Sequence, residues 1–335
     1  MDNAKRFKGF LKSKMFTLLL MLAFLVLLFT LWAPLVGNQF LTGVNFFSIL
    51  DSLVVTSFLA IGAGCLMVSG NLDLSASAVG AFGGVLIAVC IKSWALPWPL
   101  AILLTLAACA AIGALNGALV NVFNFQPFIA TMAMAAVIKG LMYFVSLDPT
   151  TGNATTVNFS QAALTFIGSY KIFGTIPFTV VIMLAAFLLY GLMLNKTKFG
   201  MSIYLVGGNR SASRLTGISP KKISYILFAN SAMLAGVSGI IMAARTRQGN
   251  LNALTANQFT GLTAAILGGI SFGGGNGGMG GAFVGLLILN TFNKGTTVVK
   301  FDTYWTTVLS GLLLLVALTL DYFGLKRAQK IVRLK

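Results

Sequence analysis

Glutamate and histidine are absent from the 335 residues, and the six acids are all aspartates: Asp2, Asp51, Asp73, Asp148, Asp302 and Asp321. Without histidine or glutamate the chain lacks the usual general bases, most metal-ligand sets and the common proton relays. An enzyme has almost nothing to be built from. The three cysteines, Cys65, Cys90 and Cys109, fall inside apolar runs, where they read as small core residues rather than disulfides or metal ligands. Charge is scarce altogether, at 9 % of residues against about 25 % in soluble domains.

What is present is apolar. Hydrophobic residues make up 57 % of the chain and the mean hydropathy is +0.92. Apolar runs of about 20 residues, long enough to cross a bilayer as helices, recur along the sequence. Alternating patterns are weak, which argues against an outer-membrane barrel. The class is an all-α polytopic membrane protein embedded in a lipid bilayer. A net charge of +17 would suit nucleic acid, but the cations flank the apolar runs, where lysine and arginine set topology, so no nucleic-acid partner is expected.

The first run, from Phe16 to about Val36, has no clear small-residue cleavage site and is too long for a signal-peptide core. It reads as a retained span. Further runs lie at about 47–69, 76–92, 100–122, 128–146, 175–194, 223–243, 261–272, 279–296 and 304–323, giving about ten transmembrane helices. The run at 261–272 is too short to span alone, so some helices are expected to be broken or re-entrant. Ten spans put both termini on one side. With the N-terminus inside, the inner set holds five cations in the tail 1–15, six between Lys196 and Lys222, and five in the tail 324–335. Seven remain for the outer side: Lys92, Lys139, Lys171, Arg245, Arg247, Lys294 and Lys300. That excess predicts N-in, C-in.

Three breaks interrupt the apolar pattern. GGGNGGMGG, from Gly273 to Gly281, contains a G-x-G-x-x-G match. No strand precedes it, no Gly-Lys-Ser/Thr follows it and no acid lies about 20 residues on, so it reads as a tight break between half-helices. SGNLDLSASAVG, from Ser69 to Gly80, places Asp73 between two apolar runs, where a mid-membrane carboxylate costs about 2.5–3.5 kcal/mol on insertion scales. Asp73 either caps the helix that follows or marks a broken helix lining a polar path. FNFQPF opens the next-but-one span with Gln126-Pro127; Gln126 either faces a pathway or caps.

GNRSASRLTGISPKKI, from Gly208 to Ile223, carries four cations and no acid. Asn209 is a good N-cap, residues 210–216 suit two turns of helix, Gly217 is a natural stop, and Ser219-Pro220 opens the next span. On that short helix Arg210 and Arg214 share one face, and Ala212 and Leu215 share another. Chemistry alone leaves two readings level: a helix docking in a partner's groove, or one resting on anionic headgroups.

Four blocks in order carry a resemblance: SGNLDLS (69–75), QPFIATMAMAAVIKGL (126–141), FGMSIYLVGGNRSASRLTGISPKKISYILFANSAMLAGVSGIIMAAR (199–245) and AAILGGISFGGGNGGMGGAFVGLLIL (264–289). Together they resemble the ribose-type ABC importer permeases, over nearly the whole chain. The resemblance implies a single permease domain over 1–335, with cytoplasmic tails at 1–15 and 324–335 and a cytoplasmic coupling loop at 195–222. It implies a bacterial cytoplasmic (inner) membrane location and a homo- or heterodimer of permease subunits. It also implies two ATP-binding cassette subunits docking from the cytoplasm and an extracytoplasmic solute-binding protein. ATP would be bound by the partner, with no cofactor in this chain. Gly208, Asn209, Arg210, Ala212, Arg214, Leu215 and Gly217 would form the coupling element. Asn71, Asp73 and Gln126 are the residues expected to line the solute path. The family's substrates are mainly sugars and related small polar solutes.

The chain departs from the family pattern at four places. Asn71 replaces the usual second glycine before Leu-Asp, and Arg210 stands where an acid often follows Gly-Asn. NQFTGLTAAI (257–266) lacks an acidic pair, and Lys139 replaces an arginine. Arg210 is therefore the position at which a partner-specific contact is expected. The competing function is an ion-coupled secondary transporter, for which only Asp51 and Asp73 are available as membrane sites.

Overall fold

The computed structural model describes residues 14–148, 150–257, 259–302, 304–312, 315 and 319. The expected tails, apart from Lys14 and Met15, and most of the second half of the run at 304–323 lie outside the described residues, as do Asp2 and Asp321.

Helices dominate the described chain: α1 Lys14–Trp32, α2 Gly43–Val68, α3 Ala76–Lys92, α4 Trp98–Asn121, α5 Pro127–Val145, α6 Ala162–Ser169, α7 Phe178–Lys196, α8 Lys198–Gly208, α9 Arg210–Leu215, α10 Pro220–Thr246, α11 Thr260–Leu267 and α12 Met279–Val298. Residues 304–312 are also helical. Among the described residues six helices are long and apolar enough to cross a membrane: α1 with its 3-10 extension to Val36, α2, α4, α5, α7 and α10. The runs at 76–92 and 279–296 are helical, as α3 and α12, but neither is among those six, and the short run at 261–272 is the eight-residue α11.

Within the segment 195–222, the short helix expected at 210–216 forms as α9, and a second helix that was not expected, α8, precedes it. Thr197 caps α8 by accepting the Gly200 N–H at 3.0 Å, and only Asn209 separates α8 from α9. The polar stretch after α5 also acquires structure that composition did not predict. Strand β1 (Val157–Asn158) pairs antiparallel with β4 (Gln248–Gly249) beyond the end of α10, and β2 (Lys171–Ile172) pairs with β3 (Ile176–Pro177).

Helix α10 is the hub, packed against α2, α3 and α4. Its sequence allows this through small residues four apart, Ala235, Gly239 and Ala243, which bring backbones together where lipid supplies no hydrophobic drive. A Cβ at Gly239 would strike the Gly80 carbonyl of α3, so no larger residue fits that crossing. Helices α1, α5 and α7 turn large apolar side chains outward, among them Phe24, Leu31, Phe144, Leu188 and Leu189. Such faces suit hydrocarbon rather than water. Cys65, Cys90 and Cys109 are all buried and unpaired, as expected of core residues.

Candidate coupling and pathway site

The break after α2 is re-entrant. Along α10, Asn71 lies level with Ser224, to which its Nδ2 donates at 3.4 Å, and Asp73 lies level with Ser231. Seven residues of α10 separate those levels, so the extended stretch 69–75 climbs about 10 Å into the bundle before α3 starts. This explains why α3 has only 17 residues. Asn71, Leu72, Asp73, Leu74 and Ser75 are all buried, while Gly70 is exposed at the turn.

A carboxylate at that depth requires partners, and small hydroxyl and amide side chains supply them. Asp73 Oδ1 accepts the Ser75 N–H at 2.8 Å and the Ser75 hydroxyl at 2.6 Å. The Ser231 hydroxyl donates to Oδ2 at 3.4 Å. Asn116 of α4 donates to Ser75 Oγ at 2.8 Å, and Leu74 N–H donates to Thr131 Oγ1 of α5 at 3.0 Å. Asp73 sits in the break between two helices and caps the turn before α3 rather than α3 itself, whose N-cap is Ser75. Gln126, expected beside it, sits exposed at the start of α5 without a side-chain cap bond. Among the described residues no hydrogen bond joins it to Asn71 or Asp73. Ser75, Asn116, Thr131, Ser224 and Ser231 were missed in the sequence. The available signal was isolated polar residues inside apolar spans.

At the same end of the bundle, α9 forms with the ends its sequence dictates. Asn209 Oδ1 accepts the Ser211 and Ala212 N–H groups, each at 3.0 Å. Gly217 has φ +80°, and Gly217 N–H to Arg214 O with Ile218 N–H to Ser213 O completes a Schellman stop. Ser219 caps α10 from outside, accepting the Lys222 N–H. The helix lies on the molecule through Ser213, which is 2 % exposed, and presents Arg214 and Leu215 outward, with Leu215 90 % exposed. The i,i+4 spacing that put Arg210 with Arg214 does not describe Arg210's own contact. Its Nη2 turns back into the chain and donates to Asn71 Oδ1 at 2.7 Å, a contact within this protein that the sequence did not suggest.

Directly behind α9 three backbones meet. A Cβ on Gly207 would collide with the Val68 carbonyl and lie 2.6 Å from the Gly275 nitrogen. Gly275 N–H donates to Val68 O at 2.8 Å, and Tyr204 donates to Gly277 O at 2.6 Å. Gly274, Gly275 and Gly277 all have positive φ. The Gly-rich stretch is thus the tight break expected between α11 and α12, and it closes on the ends of α2 and α8.

At the opposite end of α2 a cleft of about 810 Å³ is lined by Ser48, Asp51, Ser169, Lys171, Thr175 and Arg245, among others. Arg245 Nη2 pairs with Asp51 Oδ1 at 2.8 Å and donates to Thr179 Oγ1 at 2.7 Å. The arginine side chain is 16 % exposed and the aspartate 44 %. In the loop after α5, the Thr150 amide donates to Asp148 and holds its carboxyl below the usual carboxylate range.

Among the described residues no group of histidine, cysteine and acidic side chains is placed to hold a metal ion. No solved structure matches the chain. Residues 45–318 match the family model described as branched-chain amino acid transport system / permease component. The ribose import permease protein RbsC of Escherichia coli (strain K12) is 32 % identical over 285 residues, covering 84 % of this chain and 87 % of that protein. RbsC of Bacillus subtilis (strain 168) is 29 % identical over 288 residues, covering 86 % and 87 %. The galactose/methyl galactoside import permease protein MglC of Haemophilus influenzae is 29 % identical over 336 residues, covering 95 % and 98 %. With apolar helices of spanning length, a re-entrant break in the second of them, and a family match that runs from α2 into the last helix, the chain belongs to the ribose-type branch of the branched-chain amino acid transport permeases, and it is a multi-pass membrane protein of that family.

Proposed function

We propose that this chain is the transmembrane permease subunit of an ATP-driven importer of a sugar or a related small polar solute. The support is the kinship with ribose and galactose import permeases, joined to one structural observation: a capped six-residue helix with an exposed Leu215 at its tip. ATP is bound and hydrolysed by partner cassette subunits that receive α9. A second permease copy, identical or related, completes the pathway, and an extracytoplasmic binding protein delivers the solute. Ten spans with both termini in the cytoplasm of a bacterial inner membrane fit the charge distribution. In that orientation the cleft around Asp51 and Arg245 opens outward and the α9 knot faces inward.

Nucleotide-driven closure of the partner displaces α9, and the displacement reorients the broken spans behind it. Asn71 and Asp73 lie at the inner break, where reorientation would expose them to the pathway; Gln126 borders the same end from α5. The test uses Arg214→Glu and Gly217→Pro in a tagged chain. Proline cannot take the positive φ that Gly217 needs, and the charge reversal alters the outward face without touching the caps. Both variants should insert normally and lose the ATP-hydrolysing activity that co-purifies with wild type. Full retention of that activity in both would sink the docking claim. The alternative, an ion-coupled secondary transporter, requires uptake that collapses with an uncoupler and persists without ATP.

A further inference from the structure

Two of the four places where this chain leaves its family's pattern are Asn71 and Arg210, separated by 139 residues in sequence and joined by one hydrogen bond of 2.7 Å. A glycine at position 71 would offer no side-chain acceptor, and an acid at position 210 would offer no donor. Either family-type residue alone removes the bond. This chain instead carries an amide acceptor and a guanidinium donor at the two positions.

The surroundings of the bond show what it connects. Arg210 is the first residue of α9, one position beyond the cap. Asn71 is 3 % exposed and is the fixed point of the turn that carries Asp73. Its Nδ2 is held by Ser69 at 3.0 Å and reaches Ser224 at 3.4 Å. Ser224 also accepts from Asn121 of α4 at 3.0 Å. A guanidinium bonded to a buried amide is stronger than a bond between neutral groups, and its long arm spans the gap between a surface helix and a buried turn. The glycine contacts behind α9 join the ends of α2, α8 and the Gly-rich loop, but none of them holds the 71–73 turn itself.

We propose that Arg210 and Asn71 form a latch which transmits displacement of α9 to the Asn71–Asp73 turn. Arg210 is on this view a positioning residue rather than a partner contact. The proposal rests on the docking reading of α9, and the experiment separates the two.

The transporter is purified with its ATP-hydrolysing partner, and hydrogen exchange is followed in peptides covering 69–75 and 207–217, with and without trapping by ADP and vanadate. Wild type should respond at both segments. Asn71→Gly, which restores the family-type residue and leaves α9 intact, should keep the response at 207–217 and lose it at 69–75. Asn71→Asp, which keeps an acceptor for Arg210, should respond at both. A wild-type response at 69–75 in Asn71→Gly overturns the latch while leaving docking in place. Loss in Asn71→Asp as well assigns the effect to packing at residue 71 and also overturns it. No response at 207–217 in wild type overturns the docking reading, and the latch with it.

Discussion

A single methyl group at Gly207 should undo the junction behind α9, while the same methyl at Gly208 should not. At Gly208 an added Cβ meets nothing within 4 Å. Alanine there gains up to about 1 kcal/mol of helix propensity, less at a helix's last residue. At Gly207 the added Cβ collides with the Val68 carbonyl and stands 2.6 Å from the Gly275 nitrogen, where ordinary contact begins at 3.4 Å. The Gly275 side alone must open by about 0.8 Å, and the obstructing atoms are backbone on both sides, so no rotamer change relieves them. Opening also strains the Gly275 N–H to Val68 O bond of 2.8 Å. Overpacking typically costs about 1–3 kcal/mol, and rigid backbone neighbours put this site at the upper end. The two variants should therefore differ by about 3 kcal/mol, or roughly a hundredfold in the unfolding equilibrium. Unfolding of each purified variant in detergent, followed by tryptophan fluorescence against denaturant, measures the difference. Equal midpoints for Gly207→Ala and Gly208→Ala would refute the claim that α8, α2 and the Gly-rich loop are locked together at this point.

Asn209→Ala should cost about 1 kcal/mol of local stability by removing the cap, seen as faster amide exchange at Ser211 and Ala212 with the spans unaffected. Ser75→Ala removes the hydroxyl that donates to Asp73 and accepts from Asn116, keeping only the backbone N–H bond to Asp73. It should cost about 1–3 kcal/mol, and an unfolding midpoint equal to wild type would contradict the network. Arg245→Met leaves Asp51 unpaired at the rim of the cleft. Because Asp51 is 44 % exposed, the loss should be well below the 3–5 kcal/mol of a buried pair, at about 1 kcal/mol, and high salt should shrink the difference between variant and wild type.

Much of the segment 208–223 was legible because caps are local. Asn209, Gly217 and Ser219 act on amides two to five residues away, so their spacing in the sequence is their geometry. The breaks at 69–75 and 273–278 were legible for a related reason: glycine costs helix stability and a buried carboxylate costs desolvation, so either inside an apolar run marks an interrupted helix. What was not legible depends on which faces meet. Helices such as α1 and α7 are apolar all round, so no periodicity shows which side turns to the protein. The hub role of α10 lies in small residues whose value appears only against Gly80 and Gly113 of other helices. Arg210 illustrates the limit most sharply. Its spacing from Arg214 placed both on one surface, and its departure from the family pattern suggested a partner. The bond to Asn71 joins residues 139 apart, beyond what any local rule reads. Helix α8 and the strand pairs after α5 were missed because stretches between spans read as loops by composition alone.

The chain's poverty in acids finally bears on where the energy for transport comes from. A carrier driven by protons or sodium needs a carboxylate free to change its charge or its ligands during the cycle. The four aspartates among the described residues are all engaged in holding the chain. Asp51 pairs with Arg245 and Asp73 accepts three bonds from Ser75 and Ser231. Asp148 accepts the Thr150 N–H and Asp302 the Tyr304 N–H. Neutralising Asp51 would strand a guanidinium that is 16 % exposed. That step opposes the fold rather than cycling it. A helix whose two ends are fixed by caps and whose first residue is bonded to the buried turn suits the proposed arrangement, in which force would arrive mechanically from a partner that carries the nucleotide chemistry.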